Sequence, residues 1–178
     1  TAMTKTPTLS LRLAVAAAAL AASLASASAQ STLRIGLAED PDVLDPTQAR
    51  TYVGRIVFAS LCDKLFDINE RLEIVPQLAT GHRWEDERTL VITLRDGVRF
   101  HDGATMDAEA VRYSLNRHLT MQGSFRRGEL AGMEAVEVVD PRTVRIRLAR
   151  PNAAFMATLS DRAGMILSPR AAEAAGRD

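Results

Sequence analysis

The stretch from residue 89 to residue 118 constrains the fold of this 178-residue chain most, because it carries the signals of a strand, two turns and a helix in one continuous run. Within residues 90–95, leucine or isoleucine occupies every second position, which is the pattern of a half-buried strand. Asp-Gly pairs at 96–97 and 102–103 are typical of turns. Asp107 stands where a helix N-cap is expected, so a helix is predicted to follow it.

Strands and helices alternate along the rest of the chain. Two hairpin-like strand regions are predicted near residues 82–100 and 135–149, and a helix from about residue 108 to 119 lies between them. Because hairpins separate the helices, the pattern favours a mixed α/β sheet with antiparallel parts over a simple doubly wound domain. One face of the helix carries four residues spaced to share one side: Val111, Ser114, Leu115 and His118.

Shorter elements are predicted on both sides of this central region. Residues 121–132 are predicted to be a polar loop with a basic centre at Arg126 and Arg127. A helix over residues 47–61 is predicted to bury a stripe made of Val53, Val57, Ser60 and Leu61. The other predicted elements are a strand at 32–38, short helices at 75–79 and 152–159, a strand at 165–167, and a helix that begins at Ser168–Pro169 and ends at Gly176.

Several of these motifs carry a family resemblance. The segment LRDGVRFHDG and the acidic-start helix after it resemble the signature region of the family 5 solute-binding proteins, the extracytoplasmic receptors of peptide and nickel ABC importers. The segment VEVVDPRTVRIRLARPNAAFM resembles the family's second strand pair and following helix, and MILSPRAAEAAG resembles its next strand and Ser-Pro-capped helix. The resemblance runs from about Leu33 to Asp178, and the motifs occur in the family's order.

The resemblance implies an α/β fold like that of the type II periplasmic binding proteins, in which two lobes enclose a ligand. It also implies a division of the chain that composition alone would not show. The family's second lobe is not represented in the sequence, so we interpret the chain as the N-terminal portion of a larger receptor. The implied parts are a signal peptide at 1–29, the start of ligand-binding lobe I at 30–65, an inserted small α+β subdomain at 66–165, and a return toward lobe I at 166–178.

The first residues predict the compartment. Lys5 and Arg12 form a weakly basic start, residues 13–24 form an apolar run, and residues 27–29 form an Ala-Ser-Ala cleavage site. This is the pattern of a secretory signal peptide, with Gln30 as the first mature residue. The alternative is an N-terminal membrane anchor, but the apolar run is short for crossing a bilayer. We therefore predict a periplasmic protein exported through a cleavable signal peptide.

Charge and reactive residues disfavour several classes of function. The chain has 22 basic and 22 acidic residues, and no clustered basic face indicates a nucleic-acid partner. Its single cysteine, Cys62, is predicted to be a small buried residue and not a reactive thiol. The three histidines lack metal-ligand spacing and are predicted to be surface or cap residues: His82, His101 and His118. The sequence predicts no metal site, no cofactor and no catalytic constellation.

The resemblance places candidate ligand-binding residues after the turn at residues 44–46, where the family's loop and helix start face the cleft. Arg50 is predicted to pair with a ligand carboxylate in bidentate fashion. Tyr52 is predicted to stack on the ligand or to hydrogen-bond with it, and Thr51 lies between the two. The alternative is structural, with Arg50 a solvated helix residue and Tyr52 packed in the core.

Two further arginines are candidates because the resemblance places them near family binding regions. Arg126 matches the region where nickel-chelate receptors of the family have an arginine, and Arg162 lies near another such region. The alternative for both is an ordinary exposed arginine. Residues of the absent lobe define most of the ligand class, so a peptide, glutathione, an opine, a nickel chelate and haem all stay open at this point.

Together the motifs favour a monomeric receptor, not an enzyme, that binds peptides or peptide-like solutes and delivers them to an ABC permease and its ATPase. A receptor for a nickel chelate, glutathione, an opine or haem is the alternative within the same family. A periplasmic chaperone-like module or a secreted enzyme is the alternative from another class.

Overall fold

The computed structural model describes residues 32–176. The predicted signal peptide at residues 1–29 lies outside the described part. The chain divides into a unit up to Gly36 and a unit from Leu37 onward, and residues 32–36 of the first unit contain no helix or strand. Among the described residues, no helix is both long enough and apolar enough to cross a membrane.

From Leu37 onward, short helices and strands alternate along the chain. The helices are α1 (Tyr52–Leu61), α2 (Ala108–Thr120), α3 (Phe155–Thr158) and α4 (Pro169–Ala175), with a 3-10 turn at Arg162–Gly164. The strands are β1 (Phe66–Ile68), β2 (Ile74–Pro76), β3 (Ala79–Asp86), β4 (Thr89–Leu94), β5 (Met133–Asp140) and β6 (Thr143–Leu148).

The centre of the fold is a four-stranded sheet in the order β3-β4-β6-β5. Leu90 of β4 lies opposite Ile146 of β6, so the apolar rows of the two strands meet across the sheet. Strands β1 and β2 form a separate two-stranded sheet. Both predicted hairpin regions are confirmed, and every strand pair of the described residues is antiparallel.

Helix α2 packs against β5 and β6 and covers the apolar core. As predicted, Asp107 caps this helix, because its side chain accepts a hydrogen bond of 3.0 Å from the N–H of Ala110. All four residues of the predicted helix face are buried, so the helical spacing identified this face correctly. The fully buried aliphatic residues of the core include Leu90, Ile92, Leu115, Val144 and Ile146.

Two predicted strands are absent. Residues 32–38 are irregular, and neither sheet includes them. The segment at residues 165–167 makes one antiparallel bridge, between Met165 and Lys64, and no continuous strand. In both segments the apolar pattern is present, but no neighbouring strand of the described chain continues the ladder. A strand needs that neighbour because its backbone N–H and C=O groups must be paired.

The helix predicted at residues 47–61 starts later than expected. Helix α1 begins at Tyr52, and Thr51 has the extended backbone of an N-cap. The cause is Asp42, whose carboxylate accepts hydrogen bonds from the backbone N–H of Arg50 and from the hydroxyl of Thr51. These bonds hold the segment before Tyr52 outside the helix.

The stripe predicted to be buried on this helix is largely wrong. Val53 is buried, whereas the other members are half-buried or exposed: Val57, Ser60 and Leu61. Gly54 and Phe58 are buried in their place. Phe58 packs with Ala49 and Met165 in a small second core. The large aromatic ring therefore sets which face of α1 turns inward.

Other short elements differ from the prediction in part. Residues 75–79 comprise the end of β2, a bend at residues 77–78 and the first residue of β3, and not a helix, because the N–H groups of Gln77 and Ala79 both bond to the carbonyl of Leu65. The helix predicted at 152–159 is a single turn, α3. Helix α4 begins and ends as predicted, with an N-cap at Ser168, a proline in its first turn and a glycine of φ 68° at its end.

The chain enters and leaves the central region at neighbouring positions. Beside the bridge between Lys64 and Met165, the N–H of Leu65 donates to the carbonyl of Gly164 at 2.9 Å. Only glycine fits at position 164, because a Cβ there would lie 1.9 Å from the carbonyl oxygen of Leu159. Residues 65 and 164 therefore lie side by side.

Candidate functional site

The candidate residues Arg50 and Thr51 end a loop of residues 42–51, called the anchored loop below. The Asp42 carboxylate fixes this end, accepting from the N–H of Arg50 at 3.0 Å and from the hydroxyl of Thr51 at 2.9 Å. The Thr51 hydroxyl oxygen accepts a bond of 3.1 Å from the N–H of Gly54 and caps α1. The bonds from Arg50 and Thr51 hold the pKa of Asp42 below its usual value. The loop is thus fastened locally, next to the helix start.

Arg126 and Arg162 meet at the backbone of the same loop. Nη2 of Arg126 and Nη1 of Arg162 each donate to the carbonyl oxygen of Ala49, both at 3.1 Å. Nη1 of Arg162 also donates to the carbonyl of Thr51 at 3.3 Å. Arg126 is only 3% exposed and forms an ion pair of 2.6 Å with Glu129. Both guanidinium groups therefore hold the loop backbone in this structure.

A half-buried ion pair joins the anchored loop to α2. Arg117 donates to the two carboxylate oxygens of Asp45 at 3.0 and 2.6 Å, a bidentate pair. Arg117 also donates to the hydroxyl of Thr47. Although burial raises the pKa of Asp45, the bonds from Arg117 and Thr47 outweigh it and leave the pKa below its usual value. Asp45 is therefore a carboxylate at neutral pH, matched to a single cation.

His118 links the anchored loop to the segment after the 3-10 turn. Its Nδ1 lies 2.8 Å from the hydroxyl oxygen of Thr47, and its Nε2 lies 2.9 Å from the carbonyl oxygen of Met165. Because a carbonyl only accepts, we assign the ring proton to Nε2, and Nδ1 then accepts from the hydroxyl. Burial lowers the pKa of His118 to about 4. The prediction of a surface or cap position is wrong for His118, whereas His82 and His101 are exposed as predicted.

The side chains of Arg50 and Tyr52 are exposed, unlike most of these anchors. Tyr52 is 73% exposed, so it does not pack in the core. Arg50 is also exposed, and its guanidinium carbon lies 5.5 Å from the ring centroid of Phe125. Within residues 32–176 the Arg50 guanidinium makes no hydrogen bond or ion pair. Within the described part of the chain it is a cation whose hydrogen-bonding edge has no partner, at the end of a fixed loop.

The structure brings the five candidate residues to one place but gives them two kinds of surroundings. Arg50 and Tyr52 are exposed, and Thr51 is occupied as a helix cap. Arg126 and Arg162 are not the ordinary exposed arginines of the alternative interpretation, because one is buried and the other half-buried. Ligand contact by these residues stays a prediction.

Asp42, Arg117 and Phe125 help to build the site but were not predicted to belong to it. Asp42 had little local signal, because it lies nine residues before the threonine N-cap that it binds. Arg117 had no local sequence signal, because its partner Asp45 is 72 positions away. Phe125 stood out only as a lone aromatic residue in a polar loop.

The thiol and the potential metal ligands of the chain bear on what chemistry the site can do. Cys62 is half-buried, and burial raises the pKa of its thiol to about 11, so it is a neutral thiol near pH 7. No cluster of three or more histidine, cysteine, aspartate and glutamate residues that could hold a metal ion occurs in the described part of the chain. The exposed groups at the helix start are a guanidinium and a phenol, which bind anions and flat or polar groups.

The model of one protein family matches residues 73–177, which is more than half of the chain. That family is described as bacterial extracellular solute-binding proteins, family 5 Middle. The match includes the whole four-stranded sheet and α2.

Individual relatives point in the same direction. The chain is 37% identical over 137 residues to the glutathione-binding protein GsiB of Salmonella paratyphi A, which covers 76% of this chain and 27% of that protein. The structure of the Escherichia coli murein tripeptide binding protein MppA matches with a TM-score of 0.71 and 27% identity, over 78% of this chain and 31% of that one. The structure of AgaA with agropinic acid from A. tumefaciens R10 matches with a TM-score of 0.72 and 27% identity, over 78% and 28%.

These structures confirm the predicted fold class, since they are type II periplasmic binding proteins with a mixed α/β sheet. The chain spans about a quarter to a third of the length of the proteins it matches. The described residues correspond to part of that fold, including its antiparallel sheet.

Proposed function

Because this chain belongs to the bacterial extracellular solute-binding proteins of family 5, we propose that it forms part of a receptor that binds peptides or peptide-like solutes. In this proposal the receptor works outside the cytoplasm as a monomer and delivers its ligand to an ABC permease. The role is transport, not catalysis. Export through the signal peptide at residues 1–29 belongs to the same proposal.

One observation carries the proposal: the exposed Arg50 guanidinium, which makes no hydrogen bond within residues 32–176, sits at the end of a loop that several other side chains fasten. These side chains are Asp42, Asp45, Thr47, Thr51, Arg117, His118, Arg126 and Arg162. Fixing the loop reduces the ordering cost that binding would otherwise incur. A guanidinium in such a position suits a carboxylate, which it can bind through two parallel hydrogen bonds.

The relatives support a carboxylate-bearing ligand. Glutathione and a murein tripeptide, after which two relatives are named, are peptide-like compounds with carboxylate groups. We assign ligand contact to Arg50 and Tyr52, with Thr51 presenting both from the helix cap. Arg126 and Arg162 hold the backbone beneath them, so we assign them a supporting role.

The second candidate is a receptor for an opine or another small chelating acid. The likeness to the agropinic acid complex favours it, since agropinic acid is also a carboxylate. Nickel-chelate and haem receptors remain alternatives within the family.

We also propose that residues 66–165 are a small subdomain inserted between the start of lobe I at 30–65 and the return toward it at 166–178. The bridge between Lys64 and Met165 supports these boundaries, because it brings the two ends of the insertion together.

A thermal-shift screen of the full-length mature protein tests the function. The probes are glutathione, alanine tripeptide and tetrapeptide, agropinic acid, nickel with histidine, and haem. A ligand at about 100 times its Kd stabilises the native state by about 2.7 kcal/mol, which raises the melting temperature measurably. We expect glutathione or a peptide to give the largest shift.

Two variants connect the screen to the site. Arg50→Gln is expected to remove most of the shift, whereas Arg71→Gln, a change of an exposed arginine in the turn between β1 and β2, leaves it intact. A screen without any shift would overturn the transport proposal. A shift that Arg50→Gln leaves unchanged would overturn the site assignment alone.

A further inference from the structure

Phe125 is an exposed aromatic residue that belongs to neither of the two apolar cores. It lies in the loop between α2 and β5 and is 49% exposed. Its ring lies under the guanidinium of Arg50, with 5.5 Å between the guanidinium carbon and the ring centroid. This distance is within the range of a cation–π contact.

The backbone fixes the ring beside the anchored loop. The N–H of Phe125 donates to the carbonyl of Thr47 at 3.0 Å. On the next residue, the side chain of Arg126 donates to the carbonyl of Ala49 at 3.1 Å. Phe125 is therefore tied to the same short segment that carries Arg50.

A ring in this place acts on the arginine in a particular way. A cation–π contact uses the flat face of the guanidinium and leaves its N–H groups, which point outward in the plane, free to donate. The contact also restricts a long side chain that would otherwise lose rotamer freedom only when ligand binds. The arginine is then held ready for a planar acceptor with two oxygens.

We infer that Phe125 is a positioning residue that holds the Arg50 guanidinium in place for a free carboxylate of the solute. This inference rests on the proposed function, and it narrows the ligand to compounds that present a carboxylate at this end of the site. Phe125 acts through Arg50 and not through the solute itself.

The test uses the full-length mature receptor and two matched pairs of probes. One pair is glutathione and its diethyl ester, in which both carboxylates are blocked, and the other is alanine tripeptide as the free acid and as the C-terminal amide. Isothermal titration calorimetry gives Kd for the wild type and for Phe125→Leu, Phe125→Tyr, Arg50→Gln and the double variant Phe125→Leu/Arg50→Gln. Leucine keeps the apolar bulk and removes the π face, whereas tyrosine keeps both.

We expect Phe125→Leu to weaken binding of a free acid about two- to fivefold, the range of an exposed cation–π contact, and to leave the ester or amide unchanged. Phe125→Tyr retains wild-type affinity. In the Arg50→Gln background, Phe125→Leu has no further effect, because the cation it positions is gone.

Three results would overturn the inference while leaving the proposed function standing: equal Kd for wild type and Phe125→Leu, equal losses for the acid and its blocked partner, or an undiminished loss in the Arg50→Gln background. Wild-type protein that binds neither acid and gives no shift with any probe of the thermal-shift screen would overturn the proposed function and the inference with it. Melting curves of each unliganded variant check that the substitutions leave the protein folded.

Discussion

The four-stranded sheet and the anchored loop are held by opposite kinds of interaction. The sheet and α2 share one apolar core built from residues that recur at strand or helix spacing. The loop contributes Ala49 to the small second core, and polar side chains fasten the rest of it. Thr47 bonds to His118, 71 positions away, and Ala49 to Arg162, 113 positions away. Apolar packing makes the body of the molecule, and polar anchoring places the candidate site on it.

The largest effect is expected in the sheet region. Leu115→Ala removes a fully buried side chain of α2 and is expected to lower the free energy of unfolding by about 2–5 kcal/mol, through lost burial and the cavity left behind. Urea unfolding of the full-length receptor measures the change. Affinity of the folded protein for its ligand is expected to stay close to wild type, since Leu115 belongs to the main core, whereas Arg117 and His118 make the bonds from α2 to the loop.

The matched control for the sheet region is Leu119→Ala, on the same helix but half-buried. Leu119→Ala is expected to lower the free energy of unfolding clearly less than Leu115→Ala does. Equal losses from the two substitutions would show that the buried face of α2 does not dominate this region.

A pH-dependent effect is expected in the loop region. Burial lowers the pKa of folded His118 to about 4, while an unfolded histidine has a pKa near 6.5. Between these values the unfolded chain binds the proton and the folded chain does not, so stability falls as the pH is lowered from 7 to 4.5. The expected loss is about 2–3 kcal/mol. Urea unfolding at the two pH values measures it.

His118→Gln is expected to remove this part of the pH dependence, and His82→Gln, a change of an exposed histidine, is expected to keep it. Asp45 does not interfere, because its lowered pKa places its own loss of stabilisation below pH 3.8. If stability depends on pH equally in His118→Gln and in wild type, the proposal that buried, neutral His118 causes the pH dependence is contradicted.

A smaller effect is expected from the ion pair of the anchored loop. Asp45→Asn leaves the Arg117 guanidinium, whose side chain is 11% exposed, without its anion. The expected cost is about 1–3 kcal/mol, because an unpaired and mostly buried charge is unfavourable. Ligand affinity is expected to fall as well, since the loop that presents Arg50 is loosened.

The comparison for this pair is Asp96→Asn, which breaks an exposed ion pair with Arg142. Surface pairs of this kind contribute below about 1 kcal/mol. If Asp45→Asn lowers the free energy of unfolding no more than Asp96→Asn does, polar anchoring of the loop does not contribute to the stability of the protein. Urea unfolding and calorimetry on the same samples give both quantities.

The same contrast explains which features could be predicted from the sequence. The helix face with Leu115 and the N-cap Asp107 follow from spacing over a few residues, so both were predicted correctly. The start of α1 was wrong because Asp42 binds the backbone N–H of Arg50, a bond that helix periodicity does not register.

The positions of the candidate site residues could be predicted from the sequence, but their long-range contacts could not. The family resemblance located Arg126 and Arg162 but not what they do, because their bonds to the Ala49 carbonyl depend on the folded path of a chain more than 70 residues long. His118 was predicted to be exposed although it lies on the buried helix face, because an isolated histidine carries no sign of its distant partners.

The bridge between Lys64 and Met165 has a consequence for how such proteins diversify. Because the chain departs and returns at adjacent positions, we expect that the proposed insertion at residues 66–165 can be lengthened, shortened or exchanged without displacing the segments on either side. The polar fastenings to the anchored loop then limit this freedom. A replacement module would have to supply its own guanidinium for Ala49 and its own partner for Asp45, so inheritance of the module and of the loop is expected to be coupled.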